Sequence, residues 1–197
     1  MKEIYEHQSQ KINWYVADNG WTKGDKNEIR RVAKKSGNMV DLKVRFFKSK
    51  SELILRLNQK TYEKQKITNF TVYSHGFVGY LDFGYNGKNG NDVRFKLYRS
   101  DIGYIKKQSF SKPVSTFYSC QTAATDENGK SFAKQWQKRI GGITNSYACK
   151  TDYSNINHKY NLRITNFIYY AFGRHSKASI TPSLNYPTGT LPVSYGK

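Results

Sequence analysis

The first 75 residues alternate between strand-like and helix-like segments, and this alternation restricts the fold more than any other feature of the sequence. β-branched and aromatic residues predict strands over residues 12–17, 42–47 and 69–74. Between these strands, apolar residues recur at helical spacing and predict two helices, with the buried faces Ile29/Val32/Ala33 and Leu53/Ile54/Leu57. Alternating strands and helices are typical of a parallel sheet covered by helices. The sequence therefore predicts an α/β fold with a mostly parallel central sheet.

Polar residues and glycines mark where these two helices are expected to begin and end. Asp25 is predicted to cap the first helix, and Gly37 is predicted to end it. Ser49 and Glu52 have the spacing of a capping box, which predicts the start of the second helix.

The second half of the chain continues the pattern. Residues 113–119 predict a fourth core strand and residues 143–149 a fifth. A helix with the buried face Phe132/Trp136/Ile140 is expected between them, ending at Gly141. Residues 80–83 and 93–95 are predicted to form a short hairpin. We expect a single domain over residues 1–197, with its core at about 12–172 and a C-terminal tail over 173–197.

The net charge raises nucleic acid or an acidic membrane surface as partners. The chain has 33 Lys and Arg against 14 Asp and Glu, a formal net charge of +19. The cations are dispersed, and no nucleic-acid-binding motif is visible, so charge alone supports that class. Aromatic residues make up 15% of the chain, which excludes a disordered basic tail. No apolar stretch is long enough for a transmembrane segment, and no Sec-type signal peptide is expected at the N-terminus.

Two short motifs occur where neighbouring strands are predicted to end. Ser74-His75-Gly76 follows the third strand, and Ser119-Cys120-Gln121 follows the fourth. Ligands of open α/β sheets bind at the carboxyl ends of the strands. A cysteine beside a histidine is a nucleophile with a proton-transfer partner, and the amide of Gly76 is suited to an oxyanion. The pair is therefore a candidate catalytic site.

Structural roles for the same residues remain open from the sequence. Cys120 can instead pack as a small inert side chain, and His75 can be a hydrogen-bonded structural histidine. Cys149 is expected in the core, and a Cys120–Cys149 disulfide is neither required nor excluded. The remaining histidines lack ligand spacing, so no metal and no cofactor are expected: His7, His158 and His175.

Residues 70–76 (FTVYSHG) and 117–120 (FYSC) resemble the caspase-like fold shared by caspases, gingipains, separase, self-cleaving toxin protease domains and bacterial CHAT-type proteins. The resemblance covers residues 12–150 and includes a short hairpin after the His-Gly strand. It implies a three-layer sandwich in which His75 is the catalytic histidine and Cys120 the nucleophile, with the backbone amides of Gly76 and Cys120 as the oxyanion hole. Family members often line the substrate pocket just after the fifth strand, which implies that Asp152 selects a basic side chain; a structural aspartate in a loop or helix cap is the alternative for this residue and is favoured by the sequence alone. The residues around Cys120 differ from the caspase pattern Gln-Ala-Cys-x-Gly, which argues against specificity for Asp.

The expected function is a cysteine endopeptidase acting on a protein or peptide substrate. The chain also resembles toxin or effector modules of Rhs-type bacterial carriers, which implies secretion or delivery into a target cell within a larger protein. That setting implies an acidic immunity protein as a partner. The alternative is a basic nucleic-acid-targeting toxin or binding module in which His75 and Cys120 are structural. An α/β-hydrolase ranks last, since the chain lacks a nucleophile-elbow motif.

Overall fold

The computed structural model of the chain describes residues 11–37, 41–84, 92–149 and 193–196. These residues belong to two compact units, one with residues 11–37 and 41–48 and the other with the remaining described residues. Both units combine parallel strands with helices, which confirms the α/β class. A single domain over residues 1–197 stays a prediction.

The first unit is a parallel strand pair with one helix. Strand β1 (Lys11–Ala17) pairs with β2 (Asp41–Phe47) in parallel along its whole length. Helix α1 (Lys23–Gly37) connects them and buries Ile29 together with two neighbours on the predicted face, Val32 and Ala33. The strand–helix–strand order predicted for the start of the chain is thus present.

Helix α1 begins two residues before the predicted cap. The N–H of Thr22 donates to Oδ2 of Asp25 over 2.9 Å, and the N–H of Asp25 donates to Oγ1 of Thr22 over 3.1 Å. Thr22 therefore caps the helix, and Asp25 is its reciprocal partner inside the first turn, not the cap itself. The prediction of Asp25 as the cap is wrong because Thr and Asp can both satisfy the first amides of a helix, and Thr22 lies three residues earlier.

A mixed sheet forms the centre of the second unit. Its strands, in spatial order, are β3 (Ile67–Tyr73), β7 (Phe110–Tyr118), β8 (Ile143–Ser146) and β9 (Val193–Tyr195). The first three are parallel, as the sequence predicts, and β9 is antiparallel to β8. The prediction that the fifth strand reaches Cys149 is wrong, because the ladder ends three residues earlier. The last described residues of the predicted tail add a strand to this sheet.

A small antiparallel sheet follows the third strand. Its strands are β4 (His75–Phe77), β5 (Tyr80–Asp82) and β6 (Lys96–Tyr98), in that spatial order. A two-residue turn joins β4 to β5, with Gly79 in the left-handed region at φ +91°. The predicted hairpin is present as the antiparallel β5–β6 pair, and the N–H of Phe83 donates to the carbonyl of Phe95 over 3.1 Å, but its second strand begins at Lys96 and not at Val93. Residues 93–95 form a 3₁₀ turn instead, because the side chain of Asp92 accepts a hydrogen bond from the N–H of Arg94.

Helix α2 (Lys50–Gln59) has the predicted start and most of the predicted buried face. The Oγ of Ser49 accepts a hydrogen bond from the N–H of Glu52 over 3.2 Å, as a capping box requires. Leu53 and Leu57 are buried, whereas Ile54 is only partly covered. The other 3₁₀ segments of the unit are Lys60–Tyr62, Arg99–Tyr104 and Lys107–Ser109. In the part of the chain that is described, no helix is long and apolar enough to cross a membrane.

Trp136 is the centre of the core between the mixed sheet and helix α3 (Phe132–Ile140). It is fully buried, and its ring stacks on Phe70 of β3 with centroids 4.9 Å apart. The ring also meets Phe117 of β7 edge-on at 5.3 Å. The indole N–H donates to Oγ of Ser115 over 3.0 Å, so the one polar group of the ring is satisfied. This side chain therefore ties α3 to both β3 and β7.

Trp136→Ala should lower the free energy of unfolding by about 3–5 kcal/mol, because it removes a fully buried aromatic ring and leaves a cavity against two strands. Lys138→Ala, on the exposed face of the same helix, should change it by less than about 0.5 kcal/mol. Urea denaturation of both variants measures the difference. Similar losses in the two variants would show that the packing of α3 on the sheet is not as described.

Candidate active site

Strands β3 and β7 carry the two candidate motifs at their adjacent carboxyl ends. Their register runs in parallel up to the pair Tyr73 and Tyr118. Paired residues near this end are 45 positions apart in sequence, which is also the separation of His75 and Cys120. One step beyond the ladder, Oγ of Ser74 and Oγ of Ser119 are hydrogen bonded at 3.1 Å. The predicted meeting of the two motifs at one sheet edge is therefore present.

Gly76 lies directly against the backbone of Cys120. A Cβ placed on Gly76 would overlap the carbonyl oxygen of Cys120 and would lie 2.9 Å from its backbone nitrogen. It would also lie 2.8 Å from Cβ of Ser119. No side chain fits in that space, so the close approach of the two segments requires glycine at this position.

The turn that carries Cys120 is held by backbone hydrogen bonds to the segment after β8. The N–H of Gln121 donates to the carbonyl of Cys149 over 3.0 Å, and the N–H of Ala123 donates to the carbonyl of Tyr147 over 2.9 Å. Gln121 itself adopts φ +52°, a left-handed conformation that non-glycine residues rarely take. Cys120 is therefore presented on a fixed and strained turn at the strand end.

Buried hydroxyl groups also hold the turn that carries Cys120. Oγ1 of Thr122 donates to the carbonyl of Ser119 over 3.1 Å and is hydrogen bonded to Oγ of Ser146. All three residues are buried. These bonds connect the turn to the ends of β7 and β8 and fix its position relative to the sheet.

The ionisation of His75 is controlled by two opposing effects. The residue is exposed, yet protein atoms packed around the imidazole disfavour the charged form and lower its pKa from the ordinary value. The negative charge of Asp82 acts in the opposite direction and is the smaller effect. The lowered pKa of His75 favours the neutral imidazole, the state in which it can accept a proton from a thiol.

Tyrosine side chains border the carboxyl ends of the central strands. The ring of Tyr73 stacks on that of Tyr118, with centroids 4.8 Å apart. The ring centroid of Tyr147 lies 6.3 Å from that of Tyr118. Burial raises the pKa of Tyr73, and it raises the pKa of Tyr147 to about 12. These phenols therefore stay protonated at physiological pH and give the strand ends an uncharged aromatic border.

The other candidate residues have mixed outcomes. Cys149 lies past the end of β8 and is half-buried, and no disulfide joins it to Cys120. Asp152 lies outside the described residues, as do the three histidines predicted to be without metal partners: His7, His158 and His175. Across the described ranges, no three His, Cys, Asp or Glu side chains cluster in a way that could hold a metal ion.

Sequence reasoning missed Asp82, which lies directly opposite His75 in the β4–β5 pair. Its carboxylate is almost completely buried and acts on the pKa of the histidine. The available signal was a charged residue between Leu81 and Phe83, in an apolar segment soon after His-Gly. A lone carboxylate in such a segment is unusual, because buried charges are costly without a partner.

No protein-family model, curated protein or solved structure matches the chain. A functional conclusion must therefore come from the geometry of the strand ends. The features that bear on it are the strained cysteine turn, the glycine contact and the histidine beside a buried carboxylate.

Gly76→Ala should lower the free energy of unfolding by about 1–3 kcal/mol, because the new methyl group must push β4 away from the Cys120 backbone. Gly103→Ala is the matched control: a Cβ on Gly103 meets nothing within 4 Å. The control should stay within about 0.5 kcal/mol of the parent in urea denaturation. If both variants unfold like the parent, β4 does not lie as tightly against the cysteine turn as the structure has it.

Proposed function

We propose that the chain is a cysteine endopeptidase of caspase-like fold in which Cys120 is the nucleophile and His75 transfers protons. The observation that carries the proposal is the parallel register of β3 and β7 up to Tyr73 and Tyr118, beyond which Gly76 lies against the backbone of Cys120. The strained turn after Cys120 and the lowered pKa of His75 support it, since perturbed groups and backbone strain concentrate at functional sites.

The proposed reaction is acyl transfer through a thioester. Neutral His75 takes the thiol proton of Cys120, and the resulting sulfur anion forms a bond to the carbonyl carbon of the substrate. When the tetrahedral intermediate collapses, the carbon–nitrogen bond breaks and His75 gives its proton to the departing amine. Water then attacks the thioester with His75 as the base, which releases the acid product and restores the thiol.

The backbone amides of Gly76 and Cys120 are the proposed donors to the oxyanion. The two residues are in backbone contact, so one oxygen atom can lie within reach of both amides. Because the turn is fixed by hydrogen bonds to the residues after β8, the donors need no rearrangement as charge develops. This preorganisation is the usual source of oxyanion stabilisation.

The biological setting is also a proposal. The resemblance to toxin and effector modules suggests a domain delivered into a target cell as part of a larger protein. A net charge of +19 favours an acidic immunity protein as its partner, through complementary surface potentials. We propose that Asp152 gives the peptidase a preference for Lys or Arg before the scissile bond, through a charge-assisted contact with that basic side chain.

Cys120→Ala and His75→Ala should each abolish peptide cleavage and target-cell killing, because nucleophile and proton carrier act as one unit. Cys149→Ala is the matched control, since it also removes a half-buried cysteine side chain, and it should retain both activities. Cleavage of a mixed peptide library and survival of target cells are the measurements, and circular dichroism verifies folding. Iodoacetamide should also label Cys120 faster than Cys149.

The same variants separate the peptidase from its alternative. A Cys120→Ala protein that kills as well as the parent would overturn the peptidase proposal. A basic nucleic-acid-targeting module would then become the leading explanation, supported by the net charge. Its signature would be binding to DNA or RNA that weakens steeply as salt is added.

A further inference from the structure

The small antiparallel sheet carries a row of three charged or titratable residues. His75 on β4 pairs with Asp82 on β5, and Asp82 pairs with Lys96 on β6. Residues directly opposite each other in antiparallel strands share one face of the sheet, with Cβ atoms about 4.5–5.5 Å apart. The sheet therefore places a carboxylate between an imidazole and an ammonium group.

The carboxylate of Asp82 is buried with one oxygen incompletely satisfied. The residue is 2% exposed, and its Oδ1 accepts a hydrogen bond from the N–H of Gly84 over 2.9 Å. Within the described part of the chain, no group donates a hydrogen bond to Oδ2, which is also buried. The Nζ of Lys96 lies 3.8 Å from Oδ2, beyond hydrogen-bond distance. A buried acceptor in this state retains a strong tendency to bind a donor.

Lys96 balances the charge of Asp82 without occupying this acceptor. Its Nζ also lies 5.5 Å from the centroid of the Tyr80 ring, over the ring face. Tyr80 is itself stacked on Phe77, with centroids 4.7 Å apart, so the ring has a fixed position. The ammonium group is thus shared between a ring and a carboxylate, and Oδ2 keeps no hydrogen bond from the described residues.

We propose that Asp82 is a positioning residue for His75, whose imidazole it orients for proton exchange with Cys120. The inference deepens the peptidase proposal and rests on it. A carboxylate beside a catalytic imidazole selects the tautomer and stabilises the imidazolium that forms when the thiol loses its proton. The positive charge of Lys96 weakens the stabilisation of the imidazolium by Asp82, so that the histidine returns to the neutral state after each proton transfer.

Asp82→Asn tests the role because the amide oxygen can still accept from Gly84 while the negative charge is removed. The pKa of His75 in the full chain, followed by NMR, should move further down, since the stabilising charge is lost. Alkylation of Cys120 by iodoacetamide near neutral pH should become slower by about 10-fold or more. Loss of a carboxylate that is hydrogen bonded to a metal-binding histidine has an effect of this size on activity. The titratable groups near His75 are Asp82, which lies opposite it on β5, Lys96, which lies opposite Asp82 on β6, and Cys120, whose backbone contacts the adjacent Gly76.

Asp101→Asn is the matched control. Asp101 also pairs with a lysine, at 2.6 Å from Nζ of Lys50, and also accepts a backbone hydrogen bond, from the N–H of Tyr98 over 2.8 Å. The same substitution there should leave the His75 pKa and the alkylation rate unchanged. If Asp82→Asn lowers stability but leaves both quantities at the parent values, Asp82 is structural and the inference is wrong.

Lys96→Gln keeps the inference testable if Asp82→Asn does not fold. This change leaves the carboxylate in place and removes the opposing cation, so the pKa of His75 should rise. An unchanged pKa in this variant would also overturn the inference. Neither readout depends on turnover, so failure here is distinguishable from failure of the peptidase proposal, which would appear as activity in the Cys120→Ala protein.

Discussion

The parallel pairing of β3 with β7 is the interaction on which the rest of the second unit depends. On one face of this pair, Phe70 and Phe117 pack against Trp136 and form the core with α3. At its carboxyl end, the same register leads into the contact of Gly76 with the backbone of Cys120. A shift of one residue would move the core side chains to the opposite face as well as separate the two candidates. Packing of the core and alignment of the candidate site are therefore enforced by one set of hydrogen bonds.

Electrostatics near the strand end favours a neutral histidine with a negative neighbour. Packing lowers the pKa of His75, and the buried carboxylate of Asp82 opposes that shift. A histidine that is neutral at rest but close to a carboxylate can take up a proton briefly at low cost. The large net charge of the chain is a separate matter, since exposed charges farther away than about 10 Å are screened by salt. It bears on partner choice more than on the ionisation of the site.

Longer elements were predictable from the sequence, whereas short ones and their partners were not. The predicted strand over residues 12–17 and the helix around Trp136 were confirmed, because apolar periodicity is strong over seven or more residues. The strands β4, β5 and β6 have three residues each, too few to show a period. Their pairing, and with it the position of Asp82 beside His75, depends on a glycine turn and on contacts between distant segments. The approach of the two motifs, in which Gly76 contacts the backbone of Cys120, was predictable because it follows from two long parallel strands.

Two departures from ordinary structural rules lie near this strand end, which bears on the choice between a catalytic and a structural role. Gln121 is held in a left-handed conformation, and Oδ2 of Asp82 is buried without a hydrogen bond from the described residues. Each of these costs on the order of 1–3 kcal/mol. A strand end that served only to close a sheet would be more stable with an apolar residue in place of Asp82 and glycine in place of Gln121. Proteins keep such unfavourable features mainly where chemistry or binding requires them, and here one lies opposite His75 and the other directly follows Cys120.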